Sequence, residues 1–591
     1  MDKKYVFPKV ELKKQPRTNF DLSFPVRTSF APCLSIPIMD IESMPTDSFI
    51  VKMQALIQSL PMNAPAMGRW KARFLFFENP LSNMYGWMDN NNKLTTEEWM
   101  DRDCHCFSMP YPSSYNTVPQ SAQMTIRPVR QSSLFNYLGL PVGFVGNGWV
   151  GEEGTLQLRD REANRFNAEG LLTYLDIVRN YLVNNQENRV PFVMASSNYW
   201  YNVDDLKPVV KYYSLRVLDN LFMCLRSCKQ GAYDIFDFES WNNLRIEDDG
   251  EYQELIDFLA DLTYSYSVPF GGLACVPYLM DFNRGIMNSS VGSVEARVTV
   301  DSDNFTFAVP QLQFKNKMQN FVNLLDLSGG RFGDVLSVVW QSNLKGGVDR
   351  PIFVGSRSEW IYMTDIVATA TTGSADDADE KAYSTAGEQV GFVSGRTRRD
   401  KRAVCNFKFN EYGRFMCIFQ LMPEVSYSAG IDLQLYKRSF SDKYTPQYAQ
   451  VGYQDVSNHE LSSLPVGDTK FGVVQPHSGS NGYSQKVGTR IAWSEYTCRY
   501  PKVYGEFAQG GKFDYWVLLR RYRYKDAIDF SSEPETDVTG FYDLTFTTYA
   551  MPFLFNYLFV EQDLTAQNFR LQVYFDIKAK RPLPRRAMPR L

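Results

Sequence analysis

The chain has 591 residues, with 62 Lys and Arg against 66 Asp and Glu, so its formal net charge of −4 excludes a uniformly basic nucleic-acid binder. The length predicts two or more domains, or one core with large insertions. No segment approaches the roughly 18 apolar residues of a membrane helix, and the N-terminus lacks the apolar segment of a secretory signal, so we expect a protein made in a cytoplasm and not integral to a membrane.

The N-terminal part begins with a predicted basic arm and continues as short strands. Residues 1–18 form the arm, and the first 17 of them carry six basic residues against two acidic ones. From residue 19, β patterns occur between prolines, as in Cys33–Met39, Ser48–Ile57 and the alternating Lys71–Phe77. Apolar residues at helical spacing then predict an amphipathic helix over residues 168–183. We assign residues 19–193 to the first part of a β core.

The middle of the chain differs from both ends in charge and pattern. We interpret residues 194–310 as an insertion, because residues 234–261 carry ten acidic residues and one basic residue and cannot face a polyanion. The insertion contains a helical pattern over 252–262 and a predicted hairpin over 294–309. A further amphipathic helix is predicted over 312–327, followed by a long exposed loop over 371–400.

The C-terminal part returns to strands and ends on a basic segment. From Ala403 strands and turns alternate up to a predicted strand at Phe569–Ile577, so residues 311–577 form the remainder of the core. The order of strands, helices and strands predicts a mainly β fold whose core draws on both halves of the chain. The tail, residues 578–591, has six basic residues, no acidic residue and three prolines, and is predicted to be extended. It fits either a polyanion-binding tail or a solvated terminus.

The residues that could carry catalysis or bind a metal form no convincing site. Nine scattered cysteines and three distant histidines argue for reduced thiols and against a metal enzyme. The spacing in Cys104-His105-Cys106 is too tight for zinc, and Cys224 and Cys228 on one helix face indicate core packing. The loops at 143–148 and 247–250 lack the phosphate-loop and calcium-loop patterns. We predict no catalytic residue, no cofactor and no metal.

A series of short motifs in a fixed order resembles the major capsid proteins of microviruses, small single-stranded DNA bacteriophages, and most closely the gokushovirus-like type. The motifs cover most of the chain except 90–165 and 194–310. They are NFDLS (19–23), MPTDSF (44–49), the stretch 61–80 with Trp87, the helix at 171–182 with NRVP (188–191), SGGRFG (328–333), DRPIFVG (349–355), 365–372, EYG (411–413), 444–446, 452–454, 460–461, EYTCRYPKVYGEF (495–507), DYWVLLR (514–520) and RPLPRRAMPRL (581–591). The tail departs from the family pattern at 585–587, where Arg-Arg-Ala replaces a Gly-containing ending.

The resemblance implies a fold and a set of partners. The fold would be a single eight-stranded antiparallel viral jelly roll with large helix-containing loop insertions, and residues 194–310 would build a threefold protrusion on the outside for possible host attachment. The chain would assemble with itself, through pentamers, into a T=1 icosahedral shell around circular single-stranded DNA. Its further partners would be an internal scaffolding protein, a pilot protein, a small DNA-packaging peptide and a host receptor that the sequence does not name. It would be a virion protein assembled in the bacterial cytoplasm.

On this interpretation the basic arms neutralise packaged DNA without sequence preference. The predicted DNA-binding residues are Lys3, Lys4, Lys13, Lys14 and Arg17 in the arm and Lys578, Lys580, Arg581, Arg585, Arg586 and Arg590 in the tail. Basic residues at 396–402 and 520–525 are further candidates, and each set could instead be a solvated face or pair with a neighbouring subunit. The alternative function is a secreted carbohydrate-binding or glycoside-hydrolysing β-sandwich protein, which would require a signal peptide and paired carboxylates.

Overall fold

The computed structural model describes a set of separate ranges of the chain. These are 17–63, 67–88, 102–108, 131–142, 148–150, 156–158, 165–182, 192–195, 210–213, 215–227, 235, 255–256, 258–259, 350–362, 403–428, 430–437, 442–446, 453–457, 486–497, 499, 501–508, 511–519, 552–561 and 566–584. The predicted hairpin at 294–309, the helix at 312–327 and the loop at 371–400 lie outside these residues. The same holds for most of the acidic segment 234–261 and for the loops at 143–147 and 247–250.

Five antiparallel strands form sheet 1, with the last strand of the chain in its middle. They are β1 (Thr18–Asp21), β2 (Phe24–Phe30), β4 (Ser48–Ser59), β13 (Cys405–Lys408) and β17 (Phe569–Arg581). Strand β17 pairs with β4 along one edge, and β1 and β2 pair with different parts of β17, so they follow each other along its second edge. Strand β13 completes the sheet beyond β4.

Four longer antiparallel strands form sheet 2. In spatial order they are β12 (Ile352–Tyr362), β5 (Arg69–Pro80), β14 (Gly413–Pro423) and β3 (Ser35–Ser43). The register of β14 against β3 shifts between Cys417 and Ile418, and that of β12 against β5 shifts between Phe353 and Gly355. Such shifts are typical of β-bulges, which bend and twist the strand that carries them.

The main hydrophobic core lies between the two sheets. Alternate residues of β17, from Phe569 to Ala579, point into it, as do Phe49, Val51 and Met53 of β4. Aromatic rings from the two sheets meet directly, with Phe49 and Phe415 5.8 Å apart and Trp70 and Phe569 5.1 Å apart between ring centroids. Contacts of this kind add roughly 0.5–1.5 kcal/mol each to the burial of the rings.

A second hydrophobic cluster covers the outer face of sheet 2. Strands β5 and β14 are buried on both faces, because Phe74 and Phe415 point to the main core while Leu75 and Met416 point the other way. Helices pack on that second face: α1 (Leu134–Tyr137), α2 (Glu169–Ile177), which continues as a π-helix over Val178–Leu182, and α3 (Leu215–Ser227). The layers are therefore sheet 1, sheet 2 and a helical layer.

The remaining described elements are two-stranded sheets and short helices. Two-stranded pairs are formed by β6 (Cys106–Ser108) with β9 (Arg165–Asn167), β7 (Gly148–Val150) with β8 (Leu156–Leu158), β10 (Phe192–Ala195) with β11 (Val210–Tyr213), and β15 (Tyr453–Ser457) with β16 (Lys486–Ile491). Short helices are α4 (Leu433–Tyr436), α5 (Ser494–Thr497) and 3-10 turns at Leu81–Asn83, Gly86–Met88, Gly505–Phe507, Asp514–Trp516 and Pro552–Leu558.

The described residues confirm a mainly β, antiparallel fold whose core joins both ends of the chain. The predicted helix over 168–183 is also found, at Glu169–Leu182. The last strand continues beyond the predicted Ile577 to Arg581, because the alternation of buried and exposed residues persists through Lys578, Ala579 and Lys580. The first four residues of the predicted tail are thus part of sheet 1.

Candidate functional site

The described residues of the basic arm and of the basic tail lie at one edge of sheet 1. Strand β1 pairs with the end of β17, with Thr18 opposite Arg581 and Asp21 opposite Lys578. The residues before Thr18 and those after Arg581 therefore start from neighbouring positions. A pairing of strands from opposite ends of the sequence thus gives the two basic segments adjacent starting points on sheet 1.

The Arg581 side chain closes this edge by packing on the turn between β3 and β4. Its Nη2 donates a hydrogen bond to the carbonyl oxygen of Glu42 at 2.8 Å, and its Nε lies 3.3 Å from Oδ2 of Asp47. The guanidinium also stands over the ring of Phe49, 5.2 Å from the centroid. Since the side chain of Asp47 is completely buried and that of Arg581 is 17% exposed, the pair is largely shielded from solvent.

Arg17 of the N-terminal arm contacts the same turn. Its Nη2 donates a hydrogen bond to the carbonyl oxygen of Thr46 at 2.6 Å. Thr46 has a φ of +71°, in the left-handed region that a β-branched residue rarely adopts. Hydrogen bonds on both sides hold this conformation: Thr46 N donates to the Phe409 carbonyl oxygen, and Met44 N donates to Oδ2 of Asp47.

Asp47 is a buried carboxylate beside two arginines at this edge. Burial raises the pKa of its carboxyl group, whereas the backbone hydrogen bond from Met44 and the charges of Arg581 and Arg17 act to lower it. A buried carboxylate is stable only with such partners. Asp47 therefore interacts electrostatically with one cation from each basic segment, Arg581 and Arg17.

Lys578 and Lys580 point outward from the same edge. Lys578 forms a salt bridge with Asp21 at 2.5 Å and lies 3.6 Å from Asp576. The hydrogen bond from Lys578 is the main cause that lowers the pKa of Asp21 to about 2. Both partners are more than half exposed, so this bridge adds little stability. Lys580 is exposed, two residues further along β17.

The structure thus places four of the eleven predicted DNA-binding residues at this edge: Arg17, Lys578, Lys580 and Arg581. Lys3, Lys4, Lys13, Lys14, Arg585, Arg586 and Arg590 lie outside the described residues, as do the basic segments 396–402 and 520–525. Sequence reasoning did not single out Asp47 as a site residue, although it lies in the MPTDSF motif. An acid two residues after a proline in a short turn carries no local sign of its distant partners.

His105 has a packing role that its neighbouring cysteines did not indicate. Its ring stacks on Tyr85 with centroids 4.4 Å apart, and its Nε2 lies 3.2 Å from the carbonyl oxygen of Met84. Burial lowers the pKa of His105 to about 4, so the ring is neutral at pH 7. The Tyr85 hydroxyl donates to Oε1 of Glu169 at 3.0 Å and accepts from the backbone N–H of His105. This network joins the start of α2 to the segment before β6.

The described ranges contain neither a metal-binding cluster nor a membrane-spanning helix. In that part of the chain, no group of three or more His, Cys, Asp or Glu side chains is arranged to hold a metal ion. Among the helices described there, none is both long enough and apolar enough to cross a membrane.

Comparison with known proteins decides the class of this chain. Residues 287–591, just over half of the sequence, match the family model described as capsid protein (F protein). The chain belongs to this capsid protein family. It is a phage capsid protein and a virion component, and its family is one of structural proteins.

A curated relative supports the same assignment. Capsid protein VP1 of Chlamydia phage 1 is 25% identical over 176 residues, which are 29% of this chain and 26% of the relative. The match thus spans about a quarter of the relative's length. Together with the family model it supports a microvirus-type capsid protein, whereas neither match is to a carbohydrate-binding protein or glycosidase.

Proposed function

We propose that this protein is the major capsid protein of a gokushovirus-like microvirus and that its subunits assemble into a T=1 icosahedral shell around circular single-stranded DNA. The observation that supports the proposal is the pairing of Thr18 with Arg581, from which both basic segments start at one edge of a subunit. A shell that encloses DNA needs positive charge concentrated on its inner side, and two basic arms that start from one edge would supply it.

The subunit core is proposed to be an eight-stranded jelly roll. In the part of the chain that the structure describes, each sheet has four strand positions, because β1 and β2 share one edge of β17. The spatial order is β1/β2, β17, β4, β13 in sheet 1 and β3, β14, β5, β12 in sheet 2. Along the chain these strands alternate between the two sheets except at β5 and β12, which both lie in sheet 2. This connectivity fits the pair of Greek keys that builds a jelly roll.

The same arrangement supports an assignment of the inner and outer sides of the subunit. The basic segments leave from an edge of sheet 1, whereas the helical layer lies on the far face of sheet 2. Helix α3, within the predicted insertion 194–310, packs in that layer through Leu218, Leu221 and Phe222. The insertion, with its acidic segment, would thus face outward, where a protrusion could contact the host.

The remaining partners belong to the same proposal. Subunits would pass through pentamers in the bacterial cytoplasm, with an internal scaffolding protein, a pilot protein and a small DNA-packaging peptide. Large, well-packed contacts of several kinds are needed, because each subunit of a closed shell meets several neighbours. The test of assembly is electron microscopy of the protein expressed alone and with its scaffold. Closed shells of uniform size support the proposal, and a stable monomer under both conditions contradicts it.

The DNA contacts have a separate test in the salt dependence of binding. One variant replaces Arg585, Arg586 and Arg590 with Gln, and a second replaces Lys3, Lys4, Lys13 and Lys14 with Gln. Each lost phosphate contact should reduce the slope of log K against log salt by about 0.7 for single strands. The tail variant should therefore lose a slope of about 2 if all three residues contact phosphate.

A matched control neutralises three exposed basic residues elsewhere, Arg350, Arg499 and Lys512. This variant carries the same change in net charge as the tail variant. An equal loss of slope in the control would show that overall charge, and not the arms, governs DNA binding.

A further inference from the structure

The outer face of sheet 1 is an open, basic surface that continues from the arms. In the strand alternation its outward residues include six basic side chains and two carboxylates: Arg27, Lys52, Lys408, Arg570, Lys578, Lys580, Asp21 and Asp576. Both carboxylates lie within 4 Å of Lys578. Since the whole chain has a net charge of −4, this excess of positive charge is local to the face.

An exposed aromatic ring lies in the middle of this face. Tyr574 is 46% exposed, with Gln54 of β4 opposite it on one side and Pro25 of β2 on the other. Arg27 and Lys52 each lie two residues along from these partners, so cations flank the ring on both sides. Phe575, its neighbour on β17, is completely buried in the main core, which fixes the strand beneath the ring.

We infer that this face binds unpaired DNA, with Tyr574 stacking on a nucleobase and the surrounding Lys and Arg contacting phosphates. The inference rests on the proposed function and deepens it, because it adds a base-stacking surface to the charge-only arms. An aromatic ring in a basic groove is the arrangement by which proteins hold single strands without sequence preference. A duplex would not suit the ring, since its base faces are already stacked.

The chemistry of the face favours nucleic acid over a second copy of this chain. Cores of permanent protein interfaces are apolar and poor in Lys. Ile50 and Leu56 are partly exposed on this face. They lie among Lys and Arg and the amides of Gln54, Gln58 and Gln572, which can donate hydrogen bonds to phosphate oxygens. From Arg570 to Lys580 it extends for about 33 Å along β17, enough for several nucleotides.

The experiment compares binding of a labelled oligothymidylate with binding of an abasic oligodeoxynucleotide of the same length. The two probes have the same phosphates, so the arms bind them alike and only stacking distinguishes them. The full-length protein should bind the abasic probe at least ~5-fold more weakly. Tyr574→Ala should bind both probes alike, whereas Tyr574→Phe keeps the ring and should keep the difference.

The control is Tyr504→Ala, which removes a tyrosine that is 74% exposed outside sheet 1 and should change nothing. Thermal unfolding checks that Tyr574→Ala is folded. The inference is overturned if the unaltered protein does not distinguish the probes, or if Tyr574→Ala still does. Loss of shell assembly in Tyr574→Ala with probe discrimination intact would instead identify the face as a contact between copies.

The two DNA proposals fail separately. The Gln variants of the arms should lower the salt slope and leave the ratio of the two affinities unchanged. An unchanged slope in those variants with a lost ratio in Tyr574→Ala would contradict the arm proposal and support the face.

Discussion

Arg581 is expected to stabilise the subunit more than it binds DNA, and replacing it tests this division of roles. In Arg581→Met the aliphatic stem is retained, but Asp47 loses its nearest cation and the Glu42 carbonyl oxygen loses a donor. Breaking a buried ion pair costs about 3–5 kcal/mol, and the 17% exposure of Arg581 reduces this to about 2–3 kcal/mol. The measurement is urea unfolding of the purified subunit followed by tryptophan fluorescence.

The matched control for this variant is Lys580→Met, which removes a neighbouring but exposed charge. We expect a loss of less than about 0.5 kcal/mol there, since surface substitutions away from special contacts have small effects. In a double-mutant cycle with Asp47→Asn, the double variant should lose less unfolding free energy than the sum of the two single losses, because both substitutions remove the same contact. Equal stability of Arg581→Met and Lys580→Met would refute the reasoning.

The same variant has a predicted pH dependence. Burial raises the pKa of Asp47, and the guanidinium of Arg581 opposes this rise. Without the guanidinium the carboxyl group is protonated more easily, and a neutral Asp47 no longer needs a cation. The stability difference between the unaltered protein and Arg581→Met should therefore shrink as the pH falls through the titration of Asp47.

Three further predictions concern the core. Burial raises the pKa of Asp176 to about 6. The unfolding free energy should therefore fall by about 3 kcal/mol between about pH 4 and a pH above 6, because the charged carboxylate is disfavoured in the folded state. Asp176→Asn should remove this pH dependence. Gly413→Ala should lower the unfolding free energy by about 1–3 kcal/mol in urea, because a Cβ would lie 2.8 Å from the Asn79 carbonyl oxygen; an unchanged midpoint would contradict that packing. Cys33 and Cys417 are buried and Cys104 is exposed, so iodoacetamide should label Cys104 before the two buried thiols. Mass spectrometry of the native protein should show Cys33 and Cys417 unlabelled until urea is added.

Local patterns in the sequence predicted the elements better than their pairing. Strand β17 follows from the alternation of Phe569, Leu571, Val573 and Phe575 with polar residues, and helix α2 from its 3.6-residue period. For strand β5 the sequence does not show which face is buried, because Leu75, Phe76 and Phe77 are consecutive and all buried. It packs on the main core with one side and on the helical layer with the other, and a single alternation cannot show this.

The candidate site was predictable in its charges but not in its geometry. The basic arm and tail are visible in the sequence, whereas the hydrogen bond between Arg17 and Thr46 and the contact between Arg581 and Asp47 depend on folding. Tyr574 as a surface feature was missed for a related reason. Alternation gives two faces of a strand, but only the packing of sheet 1 against sheet 2 shows which face stays open.

The central position of β17 also affects the order in which the subunit folds. The backbone N–H of Ile577 donates to Oγ of Ser23 across 554 residues of chain, and β17 separates β4 from β1 and β2 in sheet 1. Sheet 2 and its helical layer can therefore form while the ribosome is still translating, but sheet 1 must wait until residue 581 has emerged. Until then the aromatic residues of the main core lack their cover, and such chains are prone to aggregate. Truncated chains would lack a complete sheet 1. Because sheet 1 forms last, only full-length subunits would be able to assemble.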